Sequence, residues 1–144
     1  MKITLRPAQP AEQSIIRQMV RKAHLNPMGL DWSHFLVAEA AGEIVGIGQI
    51  KPHGDGSREL ASLVVRPDTQ GQGVGGAIIR ALQEKAESPL YLMCRADLAP
   101  YYERFGFAML ALAEMPPYFR RIARLMNLFA PSDNPRLAVM KWTG

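Results

Sequence analysis

Residues 70–82 read QGQGVGGAIIRAL, a run of glycines followed by a helical pattern. Gly71, Gly73, Gly75 and Gly76 carry no Cβ, so the backbone N–H groups of such a turn can close on an anion at the positive end of the following helix. A pyrophosphate suits that chemistry. Gly71, Gly73 and Gly76 also satisfy G-x-G-x-x-G, and Asp97 stands at about the distance of a ribose-binding acid, which leaves a nicotinamide-dependent oxidoreductase open. Against it, "RPDTQ" separates Val65 from Gly71, where a dinucleotide fingerprint wants its first glycine directly after the strand. A P-loop is excluded, because Ala77 and Ile78 stand where Lys and Ser/Thr are required. Close helix–strand packing is the plainer use of glycine, but it needs one or two of them and no flanking glutamines. Cys94, the single cysteine, has no partner histidine that would make it a nucleophile, and no Cys/His cluster has metal-site spacing. His53, in "HGDGS", reads as an exposed turn residue, and His24 and His34 have no motif behind them.

The elements that must position this turn are legible along the chain. "KITLRPA" alternates like a short strand, and "PAEQSIIRQMVRKA" sets Ile15, Ile16, Met19, Val20 and Ala23 on one helical stripe. "HFLVAEAAGEIVGIGQIKP" reads as two strands meeting at a tight turn, "AAGE", and "RELASLVVRP" as a third strand closed by Pro67. A helix runs from Val74 to before "ESP". Then come the strand "LYLMC", the short helix "LAPYYERF" ended by Gly106, and the strands "FAML" and "RLAVMKW". Between those last two, residues 117–129 read as an inserted amphipathic helix, with Phe119, Ile122, Ala123, Met126 and Phe129 on one face and arginines on the other.

The chain has 144 residues, 48% of them hydrophobic, which predicts one compact domain spanning 1–144. No uncharged apolar run approaches the roughly 18 residues of a membrane span, and "MKITLRPAQP" lacks the apolar core of a signal peptide. A cytoplasmic protein without membrane contact is expected. A net charge of +4 suits an anionic partner, but apart from "RRIAR" the basic residues are scattered, and no nucleic-acid motif accompanies them.

"LVVRPDTQGQGVGGAIIRAL" resembles the acetyl-CoA site of the GNAT acyltransferase superfamily, a V-x-P strand end followed by [QR]-x-x-G-x-[GA] and a helix. The matching residues are Val65, Pro67, Gln70, Gly73 and Gly75. "LYLMCRADLAPYYERFGF" is similar to the downstream block of that family, ending in aromatic-Tyr-x-x-x-Gly-Phe at Tyr101, Tyr102, Gly106 and Phe107, with wording nearest to the arylalkylamine N-acetyltransferases. The resemblance covers Glu59 to Phe107. It implies an α/β (α+β) single-domain fold with a mixed, mostly antiparallel central sheet of six to seven strands, helices on both faces, and an acyl-CoA cleft between "ELASLVV" and "LYLMC".

The resemblance further implies direct acetyl transfer from acetyl-CoA to a primary amine, without a metal. Leu63, Val64 and Val65, on a bulged strand, would contact the pantetheine arm and thioester. Gln70, Gly71, Gln72, Gly73, Val74, Gly75 and Gly76 would form the pyrophosphate cradle. An amine of parent pKa about 10.4 must lose a proton, and a thiolate of parent pKa about 8.5 gains from receiving one. Tyr102 is the expected acid, Tyr101 its packing partner, and Glu59, acting through water, the expected base; a surface carboxylate is the other reading of Glu59. Two departures stand out. The arylalkylamine relatives carry two histidines where this chain has Glu59 and Ala61, and Arg95 replaces an asparagine that contacts pantetheine in many relatives.

A small amine or a short amino terminus is the expected acceptor, approached past "NPMGLDWSHF" and the inserted helix, whose Arg120, Arg121 and Arg124 form a solvent-facing row. A homodimer is left open as a partner, as is a non-catalytic acyl-CoA sensor that would have no use for Tyr102. A nucleic-acid module reading the arginine helix finds no second feature in its favour.

Overall fold

A computed structural model describes residues 1–131 and 133–144. The chain forms two compact units, residues 1–51 with 60–86, and residues 52–59 with 87–144.

In the first unit, β1 (Thr4–Pro7), β2 (Phe35–Ala40) and β3 (Glu43–Pro52) are antiparallel neighbours, followed by β4 (Arg58–Val65), whose first two residues belong to the second unit. The β2–β3 hairpin turns at Ala41 and Gly42, both with positive φ (51° and 80°), the conformation that matches the right-handed twist of paired strands. Helix α1 (Gln13–Lys22) lays Ile16 and Val20 against Phe35, Val37 and Ile47. On β3, side chains alternate between faces, so Gly46 and Gly48 lie opposite to Ile47. Helix α2 (Val74–Lys85) fills the space these glycines leave: a Cβ at Gly46 would sit 2.9 Å from Ile78 Cδ1 and Val74 Cγ1, and one at Gly48 2.8 Å from Ile78 Cγ2. The expected helices on both faces are thus found within this unit. Arg6 on β1 pairs with Glu39 on β2 at 2.8 Å and with Glu12, in the 3-10 turn before α1, at 2.7 Å, and the guanidinium hydrogen bonds hold the Glu12 carboxyl below its ordinary range.

In the second unit, β5 (Leu90–Arg95) and β7 (Leu137–Trp142) form an antiparallel ladder from Leu90↔Trp142 to Arg95↔Leu137, with β6 (Ala108–Met109) beyond β7. The start of β4 pairs with β5 in parallel at Glu59↔Tyr91, so the sheet is mixed, as expected. Helix α3 (Ala99–Glu103) is followed by Gly106 at φ 89°, the left-handed position that ends many helices. Helix α4 (Pro117–Met126) packs Phe119 and Ala123 onto Tyr91 and Val139.

Two expectations for the inserted segment are corrected. Its apolar face reaches neither Met126, 53% exposed at the last residue of the helix, nor Phe129, 89% exposed beyond its end. Asn127 stops it by turning its carboxamide to β7, accepting from the N–H groups of Arg136 and Leu137 and donating to Leu137 O. Nor do the three arginines make one solvent-facing row, since Arg120 folds back to Met115 O at 2.8 Å and buries its Nε. At the other end of α4, prolines at 116 and 117 offer no capping side chain, and Asp55 supplies the cap from the turn before β4, its Oδ2 accepting the Tyr118 N–H at 3.0 Å.

Gly48→Val is expected to destabilise the protein by about 2 kcal/mol through overpacking under α2, read as a lower urea midpoint at unchanged slope. Gly54→Val, at a position where a Cβ meets nothing within 4 Å, provides the comparison. Asp55→Ala should cost about 1 kcal/mol of stability from the lost cap. Burial acts to raise the Asp55 pKa, but hydrogen bonds from Ser57 and Tyr118 outweigh it and lower the pKa overall. The cap contribution is therefore present above the unfolded value of about 3.9 and lost as pH falls through the lower folded value. The stability gap between wild type and Asp55→Ala should close in acid, measured by melts from about pH 6 down to pH 2.

Candidate active site

In the first unit, β4 is irregular at Ser62, whose φ of 56° puts a left-handed residue inside a strand. A left-handed residue of this kind is one of the backbone states found at β-bulges, the irregularity expected on this strand. Leu63, Val64 and Val65 follow, half-buried. Val64 packs against the α1 core, and Val64 and Val65 line a cavity of about 440 Å³ together with Met19 and Gln70.

The chain then makes a short 3-10 turn over Pro67–Thr69, held by the Thr69 hydroxyl and N–H on Arg66 O. Gln70 folds back, donating its Nε2 hydrogen to Val65 O at 3.1 Å, so its side chain closes the loop onto the strand end. Gly71 and Gly73 have φ values of 82° and 83°, which side-chain-bearing residues seldom adopt, and a Cβ on either would meet nothing within 4 Å. Gly75 and Gly76 differ from them in lying within the first turn of α2. The helix begins at Val74 with Gly73 at its N-cap, a residue without a side chain to cap the first N–H groups. An uncapped N-terminus approached over two left-handed glycines is a fitting seat for a phosphate group.

In the second unit, Tyr102 lies on α3 with its ring edge-on to Tyr101 at 5.2 Å and to Phe107 at 6.4 Å. Burial, with smaller contributions from Cys94 and Tyr101, pushes its phenol up to about 12. Cys94 is buried and likewise pushed up to about 11, which removes the thiolate a nucleophile needs and agrees with a packing role. Asp97, weighed as a ribose-binding acid, and Arg95, which replaces the asparagine of many relatives, face each other at 3.2 Å on the surface.

Glu59 is 5% exposed, which removes the reading of a surface carboxylate. His53 corrects the sequence-based expectation more sharply. It is no exposed turn histidine: its Nε2 lies 2.7 Å from Glu59 Oε1, the two side chains being 8% and 7% exposed. Its ring stacks on Tyr118 at 3.6 Å and 20°, with Phe119 edge-on at 5.6 Å. Burial and the Glu59 charge raise the Tyr118 phenol above its ordinary value. Asp55 completes the cluster, accepting from the Ser57 N–H and hydroxyl as well as from Tyr118. His53, Asp55 and Tyr118 escaped the sequence reading. Their only signal was a histidine and an acid flanking a glycine just before a strand whose second residue is a glutamate.

The family model described as acetyltransferase (GNAT) domain matches residues 31–109. The mycothiol acetyltransferase of Thermomonospora curvata is 32% identical over 107 residues, which cover 74% of this chain and 34% of that protein, so the chain spans about a third of that relative's length. The N-acetylglutamate synthase of Neisseria gonorrhoeae, solved with coenzyme A and N-acetyl-glutamate, shares the fold with a TM-score of 0.79 at 18% identity, covering 99% of this chain and 35% of its own. A GNAT family acetyltransferase of Brucella melitensis, solved with acetyl-CoA, matches 74% of this chain and 83% of its own at 26% identity and a TM-score of 0.59. With more than half of its residues matched by the family model, and with the strand, glycine turn and helix in the order that the resemblance implied, this chain belongs to the GNAT acetyltransferase family.

Proposed function

We propose that the protein is an acetyl-CoA-dependent N-acetyltransferase that passes the acetyl group directly to a primary amine on a small molecule or a short amino terminus. The observation that carries this reading is the uncapped start of α2 behind left-handed Gly71 and Gly73, where the absence of Cβ atoms leaves room for a phosphate-sized anion. The acetyl-CoA found in the Brucella melitensis relative supports the choice of anion.

On this reading the backbone from Gln70 to Gly76 holds the pyrophosphate, and the β4 backbone beside Ser62, through Leu63, Val64 and Val65, pairs with the pantetheine arm. When bound, acetyl-CoA supplies an activated thioester carbonyl and a thiolate leaving group. Tyr102 acts on the sulfur. A phenol near 12 keeps its proton throughout the physiological range, so a donor is always present. Against a thiol of parent pKa about 8.5, complete transfer from that phenol runs uphill. The hydroxyl therefore works chiefly by donating a hydrogen bond to the charge that develops as the carbon–sulfur bond breaks. Glu59 provides the negative charge that draws the proton from the incoming amine.

Isothermal titration is expected to show saturable acetyl-CoA binding by the wild type and none of NADPH. Gly73→Glu, which places a carboxylate in the cradle and a side chain at a left-handed position, should abolish it. Saturable NADPH binding without acetyl-CoA binding would overturn the reading in favour of a nicotinamide enzyme. Tyr102→Phe should lower kcat about 100-fold while leaving the acetyl-CoA Kd within about twofold. Because an ordinary tyrosine is half ionised at about pH 10 and this one only near 12, the wild-type rate should show no alkaline loss from Tyr102 up to about pH 10.5.

A further inference from the structure

The Glu59 carboxylate is already engaged. A carboxylate only accepts hydrogen bonds, so at 2.7 Å the hydrogen between Glu59 Oε1 and His53 Nε2 belongs to the imidazole, and in the neutral ring the lone pair is left on Nδ1. Nδ1 has no hydrogen-bond partner among the described residues. It is also absent from the sealed, unpartnered atoms among them, which are Gln49 Oε1 and Arg120 Nε.

The ring cannot easily turn away. It is clamped by the Tyr118 stack and the Phe119 edge, and its backbone is fixed at both ends, His53 N–H donating to Ser57 O and His53 O accepting from Gly56 N–H, each at 3.0 Å. The titratable groups that face it are Glu59 on β4, Tyr118 on α4 and, within its own turn, Asp55. Asp55 is committed to Ser57 and to the N-terminus of α4, so one carboxylate, Glu59, orients the imidazole.

We propose that His53 Nδ1 is the atom that takes the proton of the acceptor amine, with Glu59 fixing the tautomer and balancing the imidazolium that forms. The inference rests on the N-acetyltransferase reading above and deepens its base. An N–H bond of the ammonium breaks and its proton passes to the Nδ1 lone pair. The freed nitrogen pair forms the C–N bond at the acetyl carbon while the C–S bond breaks and its electron pair leaves on sulfur, and the second proton, shed by the acylated nitrogen, goes to that sulfur so that the products are the neutral amide and the free thiol. The imidazolium then returns its proton to solvent, and Glu59 stays ionised throughout. This division of labour is that of a carboxylate-oriented histidine base. Glu59 would be the orienting member.

The test uses the full chain with acetyl-CoA and three amine probes: an arylethylamine, a polyamine and a peptide with a free amino terminus. His53→Gln keeps an N–H that reaches Glu59 but offers no titratable base. Its kcat/KM is expected to fall about 100-fold and to lose the acidic limb of the wild-type pH profile. In His53→Ala, added imidazole should restore rate in proportion to its free base. Nitrogen-15 NMR of the wild-type ring should show the Nε2–H tautomer, a readout that needs no substrate.

If His53→Gln retains the wild-type rate within about threefold and the same pH profile, His53 merely positions Glu59 and the inference is overturned. An Nδ1–H tautomer overturns it as well. A wild type that turns over none of the probes fails the acetyltransferase reading first, and the inference falls with it. Wild-type turnover alongside an active His53→Gln fails the inference alone.

Discussion

An open helix terminus can bind an anion only if something else holds the helix still, and for α2 that something is a pair of missing side chains. Gly46 and Gly48 let Val74, Ile78 and Leu82 settle directly on the β3 backbone, with distances that leave no room even for a methyl group. Because the contact begins at Val74, the first residue of the helix, it fixes the terminus itself and not merely the helix body. The capping position can then be left without a side-chain bond. In most helices the N-cap is filled because an orphaned N–H is unfavourable; this one gets its rigidity from packing and keeps its donors unspent. Gln70 and Thr69 complete the arrangement by tying the approach loop to the strand it leaves.

A different economy operates around Glu59. A buried carboxylate facing one imidazole adds little stability compared with an apolar pair of similar volume, since desolvation offsets most of the attraction. The surroundings are nonetheless organised for it. The 53–57 turn is cross-linked by its own backbone, α4 lays a tyrosine ring on the imidazole, and Asp55 anchors the start of α4 in return. The inserted helix thus has a defined task within its unit: it supplies the stacking surface for His53 and the N–H that keeps Asp55 from competing for the ring.

These two arrangements differed in how far the sequence revealed them. The glycine turn was readable because its constraints fall on the backbone, and backbone demands leave a local trace: residues without Cβ, a proline-closed strand before them, a helical period after. The same logic applied to Gly46 and Gly48, alternate residues on one strand face, but their partner is α2, more than twenty positions on, and spacing within β3 does not name it. The order and type of the elements followed from periodicity, and the boundaries that moved did so for particular reasons, as where Asn127 bonds to β7 and ends α4 short of Phe129.

His53 shows the opposite case. Preceded by a proline and followed by Gly54, Asp55, Gly56 and Ser57, it has neighbours that all speak for an exposed turn, and locally that description is accurate, since Gly54, Asp55 and Gly56 are exposed. What buries the ring comes from Tyr118 and Phe119, more than sixty residues away, and from a carboxylate whose own burial depends on pairing opposite Tyr91. A side chain's acid–base behaviour is set by what surrounds it in space. A turn shaped by glycines can therefore be recognised from a dozen consecutive letters, whereas a buried pairing of a histidine with a glutamate becomes visible only when a helix from elsewhere in the chain has closed over it.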